Sequence, residues 1–355
     1  MVAVGRVRMG VLGCADIAWR RMLPALAGHP SVEVVAIGSR DAAKAAAFAR
    51  RFGGEPVTGY EAVLDRSDLD AVYVPLPPAL NADWTRRALE ADKHVLCEKP
   101  LTSTARQAAA LGELARARGR ALFENYMFLC HPQHQVADEL LAAGRIGQLR
   151  SLTAEFTIPG KPADDIRNRP DLGGGALTGI GVYPLRTASR YLGPGLEVVG
   201  AHLKQDRHTG VDTGGAALLT APDGAVAQLG FGLEHAYRSR YELTGSEGRI
   251  TVPWAYTPPA GHTAVVHLER DGVREEVLVP PHDQFRSVVT AFVEGIRTGA
   301  PSPLTGAALL DQARLVEDLR AVARRGDRQP AAQRGSARRR ATADTTSSTA
   351  RRSGT

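Results

Sequence analysis

The chain has 355 residues, of which 43% are hydrophobic and 23% are charged, as is typical of a soluble globular protein long enough for two domains. Its net charge of +6 does not indicate a nucleic-acid partner, because nine arginines and two aspartates from residue 324 onward contribute +7 and leave the rest near −1. No apolar run approaches the roughly 20 residues of a membrane span, the start shows no signal peptide, and three cysteines lack disulfide or metal spacing, so we expect a cytoplasmic protein with no membrane partner.

Strand and helix patterns alternate through residues 1–125. Short apolar runs predict buried strands at 7–13, 32–38, 71–74, 94–97 and 121–124. The segments between them predict helices at 17–26, 41–52, 81–91 and 104–118. This alternation predicts a doubly wound parallel sheet of the Rossmann type, which would form a cofactor-binding domain over residues 1–125.

Strand patterns dominate residues 126–326. They lie at 149–157, 196–205, 215–221, 225–233, 240–245, 250–252, 265–270 and 275–279, with helices at 131–143, 176–191, 283–297 and 306–324. Many of these strands are joined by hairpin turns, so we predict an α+β domain with an open, mostly antiparallel mixed sheet and helices on one face. In these strands the residues that point to either face of the sheet are fairly apolar. This favours a subunit interface on the face that the helices do not cover. Residues 327–355 are rich in Arg, Ser, Thr, Ala and Gly and predict a disordered basic tail.

The turn after the first strand resembles a dinucleotide-binding fingerprint. Gly13, Ala15 and Ala18 stand in its three glycine places, where small residues permit a tight turn, a close pyrophosphate and close helix packing. The N-terminus of the following helix offers free N–H groups to phosphates. We therefore predict cofactor contacts from the residues of this turn, Gly13, Cys14, Ala15, Asp16 and Ile17.

The end of the second strand indicates which cofactor binds. NAD enzymes usually carry an acidic residue there for the ribose 2′-hydroxyl, whereas this chain has Ser39 and Arg40. A hydroxyl and a guanidinium favour a 2′-phosphate, so we predict NADP(H).

A proline-rich loop follows the third strand. Pro75, Leu76 and Pro77 either stiffen the place where the nicotinamide ribose would lie or simply end the strand. We include all three among the predicted cofactor contacts.

A charged pair and a proline end the strand at 94–97. Lys99 lies at the carboxyl end of a strand, where open α/β sheets bind ligands, and Pro100 prevents the strand from continuing. Tyr183 follows Gly175 by eight residues, on the helix predicted from near 176. A nearby ammonium would lower the pKa of this phenol and make it a proton donor. The alternative is a core tyrosine, but together with Lys99 we favour catalysis.

The pair His131 and His134 has a spacing that occurs in metal sites, with Asp138 and Glu139 nearby. Polar residues at a helix start show the same pattern more often, so we predict no metal.

Five segments together resemble the Gfo/Idh/MocA family of oxidoreductases over about residues 6–324. They are the turn at 10–18, residues 94–101, the run at 124–128 with His131 and Pro132, the turn at 144–147, and residues 165–167 with 173–183. The resemblance implies a Rossmann domain joined to an open mixed-sheet domain and hydride transfer at a sugar-like ring carbon. It also implies a homodimer or homotetramer built through the second-domain sheets.

Within the family, the chain is most similar to the sugar-nucleotide 3-ketoreductases of deoxysugar and antibiotic glycoside biosynthesis. That similarity implies a dTDP-linked 3,4-diketo-2,6-dideoxyhexose as substrate and Lys99 and Tyr183 as the catalytic pair. Lys99 would polarise the C3 carbonyl and Tyr183 would deliver the proton to O3. Asn81, Glu98, Lys99 and Arg167 would contact the cofactor, with the substrate diphosphate as the alternative for Arg167.

Two positions depart from the family pattern. Gly179 stands where many members have an aspartate four residues before the catalytic side chain, which argues against inositol-dehydrogenase chemistry. Asn81 stands where histidine is common, although its amide can still bind a ribose or an amide group.

Two other functions stay open at this point. One is an NADP-dependent aldose or trans-dihydrodiol dehydrogenase with the same fold, and the other is a non-catalytic NADP sensor. The residues that bind the substrate base are also open, and the aromatic candidates for stacking on it are Tyr126, Phe128, Trp254 and Tyr256.

Overall fold

The structure is a computed structural model that describes residues 5–300 and 302–328. Its first sheet has six parallel strands: β1 (Val7–Leu12), β2 (Val32–Ser39), β3 (Glu55–Thr58), β4 (Ala71–Val74), β5 (His94–Glu98) and β6 (Leu122–Asn125). They are arranged in the order β3-β2-β1-β4-β5-β6. From β1 the strands β2 and β3 are added on one side and β4, β5 and β6 on the other, so the strand order reverses between β1 and β4. Sheets of this type bind their ligands in the crevice at this switch point, outside the carboxyl ends of the strands.

Helices connect these strands on both sides of the sheet. A π-helical turn over Ala18–Met22 leads into α1 (Leu23–Ala27), and it is followed by α2 (Ala42–Phe52), α3 (Glu61–Leu64), α4 (Pro78–Glu90) and α5 (Ala105–Ala117). The Asp41 carboxylate caps α2 by accepting the N–H groups of Ala43 and Lys44. The doubly wound arrangement confirms the predicted fold of this half of the chain.

The second sheet has eight strands in the order β14-β13-β12-β11-β7-β10-β9-β8. They are β7 (Leu149–Thr157), β8 (Glu197–Gln205), β9 (Asp212–Thr220), β10 (Val226–Gly232), β11 (Arg238–Gly245), β12 (Gly248–Val252), β13 (Ala264–Arg270) and β14 (Val273–Val279). Only β7 and β10 pair in parallel within this sheet, so it is mixed and mostly antiparallel, as predicted.

Helices cover one face of the second sheet. They include α6 (Pro132–Ala142), α7 (Val182–Leu192) and α9 (Ala307–Arg328), whereas α8 (Gln284–Thr298) packs against α1 of the first domain. On β7 the side chains of Leu152, Ala154 and Phe156 are buried on the helix side, and the alternating residues point to the opposite, open face. Because buried and more exposed residues alternate along β7, the strand could be predicted from the sequence.

Several boundaries differ from the predictions or lie outside what the structure describes. Helix α9 continues to Arg328, past the predicted start of the tail at residue 327, and residues 329–355 of that tail lie outside the described residues. Strand β6 ends at Asn125, and the domain limits stay a prediction. Among the described residues, no helix combines the length and the apolar character that crossing a membrane requires.

Candidate active site

Lys99 and Tyr183 meet between the two domains. Lys99 follows the last residue of β5, and its Nζ donates a hydrogen bond of 2.5 Å to the carbonyl oxygen of Gly179 in the second domain. The same Nζ lies 4.9 Å from the centre of the Tyr183 ring. The structure therefore brings the two predicted catalytic residues to one place.

Tyr183 lies in the first turn of α7, directly after a π-helical turn over Leu177–Gly181. Its ring is 5% exposed and lies among four aromatic rings with centre-to-centre distances of 5.2–5.9 Å, those of Tyr126, Phe128, Phe156 and Tyr256. Its hydroxyl contacts the sulfur of Met127 at 3.7 Å, a weak acceptor. The ring is thus fixed, and its hydroxyl can turn to a stronger acceptor.

Burial shifts the pKa values of both groups. It lowers the pKa of Lys99 to about 8, and the Arg167 guanidinium acts in the same direction while Glu98 and Glu124 oppose it. It raises the pKa of the Tyr183 phenol well above its usual range. The prediction that the pKa of this phenol falls toward the working pH is therefore wrong, because burial raises it more than the Arg167 guanidinium lowers it.

Buried polar groups hold the Lys99 segment. The Glu98 carboxylate accepts hydrogen bonds from the Tyr73 hydroxyl at 2.7 Å and from the Asn125 amide at 2.6 Å. The Asn81 amide donates to the carbonyl oxygens of Glu98 and Pro100 at 3.0 and 2.8 Å. Asn81 is fully buried, so it positions the residues that flank Lys99, and its contact with a cofactor stays a prediction.

Arg167 approaches the same place from a 3-10 turn over Ile166–Asn168. Both oxygens of Asp165 accept its Nη1, at 2.9 and 3.0 Å, which fixes the guanidinium. A Cβ at Gly179 would lie 3.6 Å from the aliphatic carbons of Arg167. Gly179 therefore supplies no carboxylate of its own beside Lys99 and leaves room for the Arg167 side chain.

The fingerprint turn packs directly on the proline-rich loop. Gly13 has φ +130°, and a Cβ there would lie 2.9 Å from Leu76 Cδ2 and 3.4 Å from the carbonyl oxygen of Pro75. Only glycine fits this conformation and this contact. In the rest of the turn, Cys14, Ala15 and Ile17 are half-buried, and Asp16 is exposed and paired with Arg20.

The groups at the end of β2 fit a phosphate. The Ser39 hydroxyl is buried and accepts the backbone N–H of Asp41, while Arg40 is exposed beside the phenol of Tyr60. Asp41, the carboxylate next to Arg40 in sequence, is occupied in capping α2. A guanidinium in this place suits the 2′-phosphate of NADP(H) better than the free ribose of NAD(H).

The glycine-rich segment before Tyr183 touches the first domain. Gly173 has φ +75°, and a Cβ there would lie 3.0 Å from both the backbone nitrogen of Ala79 and the Cβ of Pro78. Pro78 is the first residue of α4, immediately after Pro77. Gly173 therefore lets the segment before Tyr183 pack against the start of α4.

The histidine pair has structural roles. The Nδ1 of His131 accepts the N–H of Gln133 as the N-cap of α6, and His134 hydrogen-bonds the Tyr241 hydroxyl and the carbonyl oxygen of Ala255. Across the described part of the chain, no group of three or more His, Cys, Asp or Glu side chains is arranged to hold a metal ion.

Sequence reasoning missed a second layer of buried polar residues behind Lys99 and Tyr183. The Glu124 carboxylate accepts the N–H of Leu101 at 2.8 Å, and Gln312 of α9 donates to the carbonyl oxygen of Val182 at 3.0 Å. Arg186 is 3% exposed and donates to the carbonyl oxygens of Pro303 and Ala308. Glu124 and Arg186 each follow a mostly apolar stretch of the sequence. A charged residue in such a place was the one signal by which this layer could have been predicted.

Two family models match the chain. Residues 7–126 match the oxidoreductase family with an NAD-binding Rossmann fold, and residues 134–251 match the GFO/IDH/MocA C-terminal domain.

Curated relatives and a solved structure cover most of the chain. It is 52% identical to a dTDP-3,4-didehydro-2,6-dideoxy-alpha-D-glucose 3-reductase from Actinomadura kijaniata, over 90% of this chain and 96% of the relative. It is 53% identical to a protein of the same name from Saccharopolyspora spinosa, over 88% and 96% of the two chains. A crystal structure of a 3-ketoreductase from Actinomadura kijaniata in complex with NADP and TDP-benzene matches with a TM-score of 0.86 and 52% identity, over 89% of this chain and 98% of that one.

Proposed function

The chain belongs to the GFO/IDH/MocA family of oxidoreductases, and we propose that it is an NADPH-dependent ketoreductase acting on the C3 ketone of a dTDP-linked 3,4-diketo-2,6-dideoxyhexose. The observation that carries this proposal is the meeting of Lys99 and Tyr183 across the interdomain cleft. The names of the relatives, which are at least half identical to this chain, support the substrate class.

Lys99 polarises the ketone. Its amine donates to the carbonyl oxygen, and its charge stabilises the negative charge that develops there as the carbonyl is reduced. Its Nζ donates a hydrogen bond to the carbonyl oxygen of Gly179. The ketone oxygen of the substrate is an acceptor of the same kind.

Tyr183 delivers the proton to O3. Its raised pKa keeps the phenol protonated throughout the working pH range, and an alkoxide is a strong enough base to take that proton. The adjacent Lys99 ammonium stabilises the phenolate that results. NADPH, when bound, supplies the hydride that adds to C3.

The fit of the cofactor rests on Gly13, Ser39 and Arg40. Gly13 lets the fingerprint turn pack closely against Leu76 and Pro75, and Arg40 and Ser39 offer a cation and a hydroxyl to a 2′-phosphate. A related 3-ketoreductase structure holds NADP, which supports the same choice here. Arg167 stays a proposed contact for the cofactor or the substrate diphosphate.

The comparisons do not support the two alternative functions. An aldose or dihydrodiol dehydrogenase is disfavoured by Gly179, whose place many such relatives give to an aspartate. A non-catalytic sensor would have no use for a lysine and a tyrosine held together in one cleft.

The test is turnover of the dTDP-linked diketo sugar with NADPH by Lys99→Ala and Tyr183→Phe. We expect kcat to fall about 10²- to 10³-fold for the lysine variant and about 10²-fold for the tyrosine variant. Lys204→Ala and Tyr191→Phe are matched controls, since Lys204 is exposed on β8 and the Tyr191 hydroxyl bonds that of Tyr241. Near-normal turnover in both active-site variants would refute the assigned roles, and turnover of free aldoses alone would refute the substrate.

We also propose that the protein is a homo-oligomer assembled through the open face of the second sheet. Val199 and Leu218 are 52% and 42% exposed on that face, and a shallow depression of about 640 Å³ lies between β7, β8, β9 and β10. Exposed apolar surface of this kind is typical of contact surfaces.

A further inference from the structure

A partly exposed aromatic cluster lies at one end of the second sheet. We call Tyr237, Trp254 and His262 the aromatic platform. The Tyr237 and Trp254 ring centres are 6.1 Å apart, and those of Trp254 and His262 are 4.7 Å apart. Tyr237 is 46% exposed, and the other two are half-buried. Three aromatic side chains are thus gathered where solvent reaches them.

The aromatic platform faces the same side of the sheet as Tyr183. The Tyr237 ring centre lies 6.4 Å from that of Phe156, and the Phe156 ring centre lies 5.2 Å from that of Tyr183. Phe156 points toward the helices, so Tyr237 lies on that side as well. A row of packed aromatic rings therefore runs from the buried phenol of Tyr183 through Phe156 and Tyr237 to the partly exposed Trp254 indole.

Hydrogen bonds fix the polar edge of the platform. Trp254 Nε1 donates to the Tyr237 hydroxyl at 2.8 Å, which in turn pairs with the Thr257 hydroxyl at 2.6 Å. Gln133 of α6 donates to the carbonyl oxygen of Trp254 at 3.1 Å. Because the indole N–H is already used, the part of Trp254 left for a ligand is its flat face.

The proposed substrate carries a flat group at the appropriate end. In a nucleoside diphosphate sugar, the base is separated from the hexose by a ribose and two phosphates. With C3 held at Lys99 and Tyr183, the base must lie away from them along the cleft. Tyr126, Phe128 and Tyr256, the other aromatic candidates, are fully buried and offer no face to it.

We propose that the thymine base of the substrate stacks on Trp254, with Tyr237 and His262 fixing the orientation of the indole. This inference rests on the proposed function, because it assumes a dTDP-linked substrate. Stacking on an aromatic face needs no base-specific hydrogen bond, so the platform contributes affinity while the reacting carbon stays at Lys99.

The experiment measures dTDP binding by calorimetry and steady-state kinetics for wild type, Trp254→Ala and Trp254→Phe. We expect the alanine variant to raise the Kd for dTDP and the KM for the dTDP sugar about ten- to a hundredfold, the range for one base on one aromatic side chain. The phenylalanine variant should retain most of the affinity. The affinity for NADPH and the kcat should change little, because the cofactor turn and Lys99 are untouched.

Intrinsic fluorescence gives an independent readout. The chain has three tryptophans, and Trp19 and Trp84 lie in the first domain. We expect dTDP to quench the emission of wild type and of Trp19→Phe, but not that of Trp254→Phe. If Trp254→Ala does not fold, as judged by circular dichroism, Tyr237→Phe removes the hydrogen bond that orients the indole and should weaken dTDP binding more modestly.

The outcomes separate this inference from the proposed function. If wild type reduces the dTDP sugar and Trp254→Ala binds dTDP as tightly as wild type, the stacking site is wrong and the function stands. If wild type neither binds dTDP nor reduces the sugar, both are wrong. If Trp254→Ala changes the subunit mass and leaves dTDP binding intact, the platform is a subunit contact and the inference is overturned.

Discussion

The Lys99 amine is expected to set the alkaline limit of turnover. Burial lowers its pKa to about 8, so raising the pH through 8 converts the polarising ammonium into a neutral amine. The ratio kcat/KM should therefore fall above about pH 8. The raised pKa of Tyr183 places its titration well beyond this range. A pH-rate profile with saturating NADPH measures the limit.

Two variants identify the titrating group in that profile. Lys99→Arg keeps its charge at high pH and should remove the alkaline limit, although its rate will be lower. Tyr183→Phe should be slower at every pH but keep the limit near 8. A limit that persists in the arginine variant and disappears in the phenylalanine variant would assign the titration to the phenol instead.

Arg40 is expected to decide between the two nicotinamide cofactors. Arg40→Ala should raise the KM for NADPH about tenfold or more while leaving that for NADH nearly unchanged, because a hydrogen bond to a charged group contributes about 1.5–3 kcal/mol. Arg50→Ala is a matched control, since Arg50 is an exposed arginine of α2. Comparison of kcat/KM for the two cofactors measures the change, and an unaltered preference would contradict the assignment.

The positions of the two proposed catalytic residues could be predicted from the sequence, but their surroundings could not. Lys99 and Tyr183 each follow a recognisable element, a strand end and a glycine-rich turn, so their meeting could be predicted. The rings around Tyr183 come from three separate segments of the chain, those of Tyr126, Phe156 and Tyr256. Their combined desolvation reversed the expected direction of the phenol pKa, and no spacing in the sequence reveals it.

At the scale of elements, the apolar strands and the longer helices were predicted, whereas strand β3 and helix α3 were missed. Strand β3 has four residues, carries Pro56 and is mostly exposed at the sheet edge, so it has no apolar alternation to detect. Helix α3 also has four residues, and its N-cap residue, Tyr60, makes no side-chain capping hydrogen bond. Their formation depends on pairing with β2 and on packing against β1, which are tertiary contacts.

Glu124, the penultimate residue of β6, is expected to position the Lys99 segment. Its carboxylate accepts the N–H of Leu101, two residues after Lys99. Glu124→Ala leaves that N–H buried without a partner, which should cost about 1–3 kcal/mol of stability and lower kcat by displacing the amine. Glu124→Gln keeps an acceptor oxygen and should recover most of kcat. Equal kcat in both variants would show that this hydrogen bond does not position Lys99.

The same residue predicts how stability depends on pH. Burial raises the Glu124 pKa from 4.5 to about 7, although Arg186 opposes the rise. Between these two values the folded state binds the proton and the unfolded state does not, so the free energy of unfolding should fall as the pH rises from 4.5 to 7. Glu124→Gln cannot titrate and should make this part of the stability profile flatter. Denaturant unfolding at several pH values tests it, and identical profiles would contradict the pKa shift.

At the scale of the whole molecule, the site exists because two domains are held in a fixed relation. Gly173 packs against Ala79, Lys99 bonds to Gly179, and the rings of Phe123 and Phe292 pack edge to face at 5.3 Å between β6 and α8. Helix α9 contacts both α5 and α7. Lys99 and Tyr183, the proposed catalytic pair, lie on opposite sides of these contacts, so the proposed reaction depends on the interdomain contacts.

The open face of the second sheet is expected to join subunits. Leu218 lies on β9 opposite Gln228 of β10, and its side chain is 42% exposed. An exposed apolar side chain on a sheet face is typical of a contact surface. Leu218→Asp would bury a charge in such a contact without a partner, so it should shift the protein to monomers. Light scattering coupled to gel filtration measures the mass.

Val273→Asp provides the control for that variant, because Val273 is 61% exposed at the start of β14, the edge strand at the opposite end of the sheet from β8. A charge there should leave the subunit mass unchanged. Loss of mass only in the Leu218 variant would place the contact around β9. A monomeric wild type would contradict the proposed oligomer. Equal masses in all three proteins would show that Leu218 does not lie in a subunit contact.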